Sequence, residues 1–100
     1  MNKASEQMQV QFHNQANAIF FTLYQSFHGA TESIDRKRDE NRFQQSKRNY
    51  VATMKTELEL LAGNLLHANK EEMRSTDISR IFQQFIKDYL HRFVQKINAL

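Results

Sequence analysis

The residues of this chain that could bind a metal or transfer a proton include its four histidines, His13, His28, His67 and His91. On a helix, His67 with Glu71 (i, i+4) and Asp88 with His91 (i, i+3) would each present two ligands on one face. No HExxH motif completes either pair, and the chain has no cysteine. We therefore expect surface imidazoles, no metal and no cofactor.

Other catalytic patterns are also missing from the sequence. There is no Gly-x-Ser-x-Gly nucleophile elbow, and Gly29 and Gly63 are the only glycines, too few for a phosphate-binding loop. The segments between periodic stretches are short, although active sites usually lie on loops. A non-enzymatic protein is expected.

A basic cluster is the most serious indication of a nucleic-acid partner. Its six members are Arg36, Lys37, Arg38, Arg42, Lys47 and Arg48. Contacts of Lys and Arg with phosphates dominate nucleic-acid affinity. On a helical wheel the six scatter around the whole circumference, whereas a helix that reads a groove needs its cations on one face. The cluster is either a nucleic-acid site or a solvated surface.

Composition limits the class of protein. The chain has 100 residues, of which 40% are apolar and 25% charged, with a net charge of +3 and a pI near 9.4. It contains no proline, and no apolar run approaches the roughly 18 residues of a membrane span. The N-terminus has no apolar signal-peptide core. We expect a single helical domain over residues 1–100, a cytoplasmic location and no membrane partner.

Two long segments repeat apolar residues at helical spacing. In the first, predicted over 5–28, Ser5 would cap the helix and a left-handed Gly29 would end it. Its stripe is Met8, Phe12, Ala16, Ile19, Phe20, Leu23 and Phe27. Its opposite side is polar and uncharged, with Gln11, Asn14, Asn17 and Gln25.

The second segment, predicted over 46–68, has a strict a/d seam of Val51, Met54, Leu58, Leu61, Leu65 and Ala68. A second line on its back side consists of Thr53, Thr56, Leu60, Gly63 and His67. The small residues of this line would let another helix approach closely, or Gly63 is merely tolerated there.

The third segment, predicted over 76–98 after a turn at 69–75, has apolar residues over about 220° of its circumference. Two neighbouring helices of one chain would leave part of this arc uncovered. The uncovered ridge is predicted to consist of Ile86, Leu90, Val94 and Ile97. Exposed apolar ridges of this kind mark interaction sites, and a two-fold dimer is the commonest way to cover them.

Residues 33–45 leave the architecture partly open. Residues 35–48 have one large apolar residue, Phe43, and the stretch forms a short fourth helix over 33–45, an extension of the second helix or a mobile basic loop. The fold class is in each case all-α, an antiparallel bundle of three long helices.

These patterns favour one function over its alternative. The first is a small helical interaction module, an adaptor, a chaperone-like subunit or an inhibitor, that binds a protein partner and forms a homo-oligomer, a dimer first of all. The alternative is a small basic nucleic-acid-binding regulator. Steep weakening by salt would distinguish the second from the first.

Overall fold

The protein folds as an up-down-up bundle of three α-helices. The computed structural model describes the main chain of residues 3–68 and 77–100, and the side chains of residues 6–68 and 78–100. The helices are α1 (Lys3–Thr31), α2 (Glu40–Ala68) and α3 (Asp77–Asn98). The bundle measures 53 × 19 × 18 Å. These described residues contain no strand, which confirms the predicted all-α bundle of three long helices.

The core is a column of aromatic and aliphatic side chains along the bundle axis. Phe12 of α1 stacks on Phe82 of α3, with ring centroids 5.0 Å apart. Toward the other end, Phe27 of α1 meets Phe43 of α2 edge to face at 5.5 Å. The predicted seam of α2 is buried at Met54, Leu58, Leu61 and Leu65. The main chains of α1 and α2 lie closest together, and the wider space between α1 and α3 is occupied by large rings such as Phe12, Phe82 and Phe85.

Both predicted ends of the first helix were wrong. Ser5 and Gly29 lie inside α1, and no residue described has a positive φ. The helix continues to Thr31, whose buried hydroxyl donates a hydrogen bond to the Phe27 carbonyl at 2.7 Å. The backbone hydrogen bonds also continue through this turn, since the Glu32 N–H donates to the His28 carbonyl at 2.9 Å, so α1 passes Gly29 without a left-handed residue.

The uncertain stretch is divided between two elements. Residues 32–39 are turns and 40–45 are the first residues of α2, so a fourth helix over 33–45 does not form and the extension of the second helix does. Asp35 shapes the connection, because its carboxylate accepts a hydrogen bond from the Lys37 N–H at 3.0 Å. Phe43 is buried, and it anchors the start of α2 to α1.

The predicted turn at 69–75, and Glu71 with it, lies outside the described residues. Across the ranges that are described, no helix has both the length and the apolar content needed to cross a membrane.

Candidate interaction surface

The ridge predicted on α3 is divided between the core and its edge. Ile86 and Ile97 are buried, at 3% and 0% exposure, in the chain's own core. Leu90 and Val94 are half-buried, and Leu90 packs against the core. The prediction that Ile86 and Ile97 lie on the uncovered flank of α3 was wrong. The structure puts them at the centre of the buried face, so they are not offered to a partner in this fold.

Ile86 and Ile97 are buried because of the direction in which α3 faces α1 and α2. The buried line of α3 is Ile78, Phe82, Ile86, Tyr89, Phe93 and Ile97. Ile81 and Phe85 lie at one edge of this line, and Leu90 and Val94 at the other. A helical wheel shows which residues of α3 form the apolar arc. It does not show which part of that arc is buried, since this depends on where the other helices lie.

The basic cluster is partly committed to the fold. The Arg36 guanidinium lies 4.1 Å from the centroid of the Phe43 ring, and its Nη1 donates to the Leu100 carbonyl at 2.9 Å. The Lys47 ammonium donates to Oδ1 of Asn98 at 2.8 Å. These two cations therefore tie the connection and the start of α2 to the end of the chain.

The other four cations of the cluster are exposed. Arg38 pairs with Asp35 at 3.7 Å and Arg42 with Asp39 at 3.6 Å, both through solvent-exposed groups. Such pairs are worth about 0–1 kcal/mol each. Lys37 lies in the connection and Arg48 on α2, so the structure does not bring the six residues onto one face.

The histidines are not assembled into a metal site. His28, His67 and His91 are exposed and lie on three different helices. In the part of the chain that the structure describes, no three His, Asp or Glu residues are close enough to hold a metal ion.

The small-residue line of α2 also faces outward. Leu60 is 61% exposed, and apart from the adjacent residues and backbone of α2 itself, no heavy atom of the described residues lies within 4 Å of the position that a Cβ at Gly63 would take. Glu57, one turn before Leu60, is the charged neighbour on this face, and Lys55 and Glu59, paired at 3.9 Å, lie along the flank of α2. No helix of the same chain uses the close approach that this line would allow.

The outer face of α1 is of a different kind. From Gln7 to Thr31 the helix has no Asp, Glu, Lys or Arg. On this uncharged outer face, Phe21 is 61% exposed and Val10 59% exposed. Asn14 and Asn17 lie between them and are exposed as well. The surface therefore combines two large apolar side chains with amides, and no charge would have to be desolvated to cover it.

A hydrogen-bonded network borders this face on the side of α3. The Tyr89 hydroxyl donates to Oδ1 of Asn17 at 3.2 Å and lies 2.8 Å from Nδ1 of His13. Because the only hydroxyl proton goes to Asn17, His13 donates to Tyr89 from Nδ1. Burial raises the pKa of Tyr89, and the nearby Arg92 guanidinium opposes this effect. The network holds the Asn17 side chain at the edge of the outer face.

A cation lies further along the same border. The Lys96 ammonium is 4.5 Å from the centroid of the Tyr24 ring and 5.9 Å from that of Phe20. Both rings are half-buried between α1 and α3. Cation–π contacts of this kind fix a positive charge next to an otherwise uncharged surface.

Sequence reasoning missed Val10 and Phe21. It treated the far side of the first helix as polar and did not single out these two residues. The available signal was the absence of charge over most of the helix, together with two large apolar residues outside its buried stripe.

No family model, no curated protein and no solved structure matches this chain.

Proposed function

We propose that this protein is a non-enzymatic helical interaction module that binds a protein partner through the outer face of α1. The observation that carries the proposal is Phe21, a large aromatic side chain that is 61% exposed on a helix face without charges. The core of the bundle is formed without it. Aromatic residues on surfaces depleted of charge are typical of the centres of protein interfaces.

The chemistry of this surface also specifies the kind of partner. A helix or sheet face with an apolar ridge would cover Phe21 and Val10, while its polar groups pair with the amides of Asn14 and Asn17. A strongly charged partner surface would gain nothing on this face, since α1 offers it no opposite charge from Gln7 to Thr31.

Site-specific photo-crosslinking tests the proposal, with a photoreactive phenylalanine analogue replacing either Phe21 or Leu60. The two native side chains are equally exposed, at 61%, so Leu60 is a matched control for accessibility. We expect an adduct of discrete mass from position 21 in an extract of the source cells. Unmodified chain should compete for it, and Val10→Asp should reduce it. Equal labelling from both positions, or none from position 21, would contradict the proposal.

The effects of salt and of nuclease treatment on binding distinguish the proposed protein partner from a nucleic-acid partner. Binding through an uncharged face should change little between low and physiological salt and should survive nuclease treatment. Binding through phosphate contacts of the basic cluster would weaken steeply with salt. A nuclease-sensitive partner that is lost when Lys37 and Arg48 are replaced by Gln would favour the alternative.

A further inference from the structure

Four exposed residues of α1 form one line along its outer face. Val10, Asn14, Asn17 and Phe21 are separated by four, three and four residues, the spacing of a and d positions in a coiled coil. The line points away from the buried stripe of Met8, Phe12 and Ala16. A second helix therefore has room to pack along it; we call this line the α1 seam.

The α1 seam is self-complementary when its direction is reversed. It has an apolar residue at each end and an asparagine at each of the two inner positions. In an antiparallel pair with its two-fold axis between residues 14 and 17, Val10 lies opposite Phe21 of the second copy. Asn14 then lies opposite Asn17 of the second copy. This is the arrangement of an isologous interface, in which one patch covers itself.

The charges of the chain favour this pairing over others. The net charge is +3, and the outer surfaces of α2 and α3 contain charged residues, whereas the α1 seam contains none. Within the α1 seam two copies therefore meet without opposing like charges, and the cations that border the seam, Arg92 and Lys96, belong to α3. The same register brings Glu6 of one copy to the level of Gln25 of the other. There it lies close to Tyr24, over whose ring the Lys96 ammonium sits.

The asparagines would select the register. Oδ1 of Asn17 already accepts the Tyr89 hydroxyl proton, so the amide nitrogen of Asn17 is the group left to face Oδ1 of Asn14 in the second copy. A polar layer inside an apolar seam fixes register and orientation, because a shifted pairing would bury amides against Val10 or Phe21. We propose that the protein forms an antiparallel homodimer through the α1 seam. This inference rests on the proposed function and identifies the partner as a second copy.

Sedimentation equilibrium of the unmodified chain tests the oligomeric state. We expect the mean mass to rise from 11.9 kDa toward twice that value as the concentration is raised through the micromolar range. Phe21→Asp should weaken the association at least about tenfold, because a carboxylate would be buried without a partner. Leu60→Asp should leave it unchanged. A monomer at every concentration, or equal weakening by the two variants, would overturn the inference.

Cysteine cross-linking tests the register, and the cysteine-free chain makes the result unambiguous. One sample contains Val10→Cys, the second Phe21→Cys, and the third an equal mixture. Positions 10 and 21 of opposing copies adjoin in the proposed register. Two copies of position 10 are eleven residues apart, about 16 Å at 1.5 Å per residue. A disulfide needs Cα atoms within about 7 Å, so only the mixture should oxidise to a covalent dimer.

The mixed pair also keeps one native contact, because Phe21 of the first chain still faces Val10 of the second. Ready oxidation of Val10→Cys alone would indicate parallel or random pairing and would overturn the antiparallel register. A mixture that oxidises no faster than Leu60→Cys would do the same.

The outcomes separate this inference from the proposed function. If the chain is monomeric but position 21 cross-links a different protein, the homodimer is wrong and the proposed function stands. If position 21 yields an adduct of two copies, both stand. If position 21 yields neither adduct, both fall.

Discussion

The outer faces of α1 and α2 each expose a large apolar side chain to the same extent, but the residues around the two side chains differ in charge. Phe21 of α1 and Leu60 of α2 are each 61% exposed, and α1 also presents Val10 at 59%. One turn before Leu60, α2 has the exposed Glu57, whose charge would have to be desolvated to cover Leu60, whereas no charged residue of α1 lies within one turn of Phe21. Exposure of a single apolar residue is ordinary in soluble proteins. Phe21 is therefore distinguished from Leu60 as a candidate interface residue by the absence of neighbouring charge and not by its exposure.

The largest effect on stability is expected on the inner face of α2, and the outer face of the same helix provides the comparison. Leu58 is fully buried, and Leu58→Ala should lower the free energy of unfolding by about 2–5 kcal/mol through lost burial and a residual cavity. Leu60→Ala should cost about 0.5 kcal/mol or less, as surface substitutions usually do. Urea unfolding monitored by circular dichroism measures both. Similar losses at the two positions would mean that something covers the outer face of α2.

The second prediction compares the two outer faces directly. If α1 is an interface between copies, the melting temperature of the unmodified protein should rise with protein concentration, because association stabilises the folded state. Phe21→Ala should make the melting temperature independent of concentration, and Leu60→Ala should preserve the dependence. Differential scanning calorimetry over a concentration series checks this. An unchanged dependence in Phe21→Ala would remove the distinction between the faces.

The third prediction concerns the border between α1 and α3. Tyr89→Phe removes the hydroxyl that joins His13 and Asn17 and should cost about 1 kcal/mol at neutral pH. Burial raises the pKa of Tyr89 in the folded state. Above the ordinary tyrosine pKa of about 10, the unfolded chain therefore loses its proton first, and this contribution to stability declines as the pH rises.

Unfolding measured at several alkaline pH values should accordingly show a steeper loss of stability in the unmodified protein than in Tyr89→Phe. Parallel curves would show that the hydroxyl is not buried between the helices.

The smallest effect is expected at Gly63, on the outer face of α2. The glycine is helical and exposed, and its surroundings leave space for a methyl group. Gly63→Ala should stabilise the protein by up to about 1 kcal/mol, since glycine is a poor helix former. Thermal unfolding measures the gain, and sedimentation of the same variant should show unaltered association. Destabilisation, or a loss of association, would indicate that a partner approaches the backbone of α2 at this position.

Local patterns in the sequence predicted the three long helices and left a short fourth helix at 33–45 open. The stripe of Met8, Phe12 and Ala16 and the seam of Met54, Leu58 and Leu61 predicted two long helices, and all six residues are buried. The third helix was predicted from its apolar repeat in the same way. Such patterns can be read locally because the period of burial follows from the geometry of a single helix.

Helix ends were less accessible to sequence reasoning. Gly29 has the residue type of a helix terminus, yet α1 passes through it to Thr31. Residues 40–45 have few apolar side chains, yet they are helical, because Phe43 is buried against Phe27 of α1. At residues 40–45 a contact with another helix stabilises a segment whose own pattern left its structure open.

The candidate surface is where the sequence determined least. The absence of charged residues from this surface is visible in the sequence of residues 7–31. The outward position of Val10 and Phe21 depends on where α2 and α3 pack. The same packing turned Ile86 and Ile97 of the predicted ridge inward and left its other two residues, Leu90 and Val94, at the edge of the buried face of α3. A helix's sequence determines which residues share a face. Only the tertiary structure decides which face is covered, because burial is a property of the neighbours that a face meets.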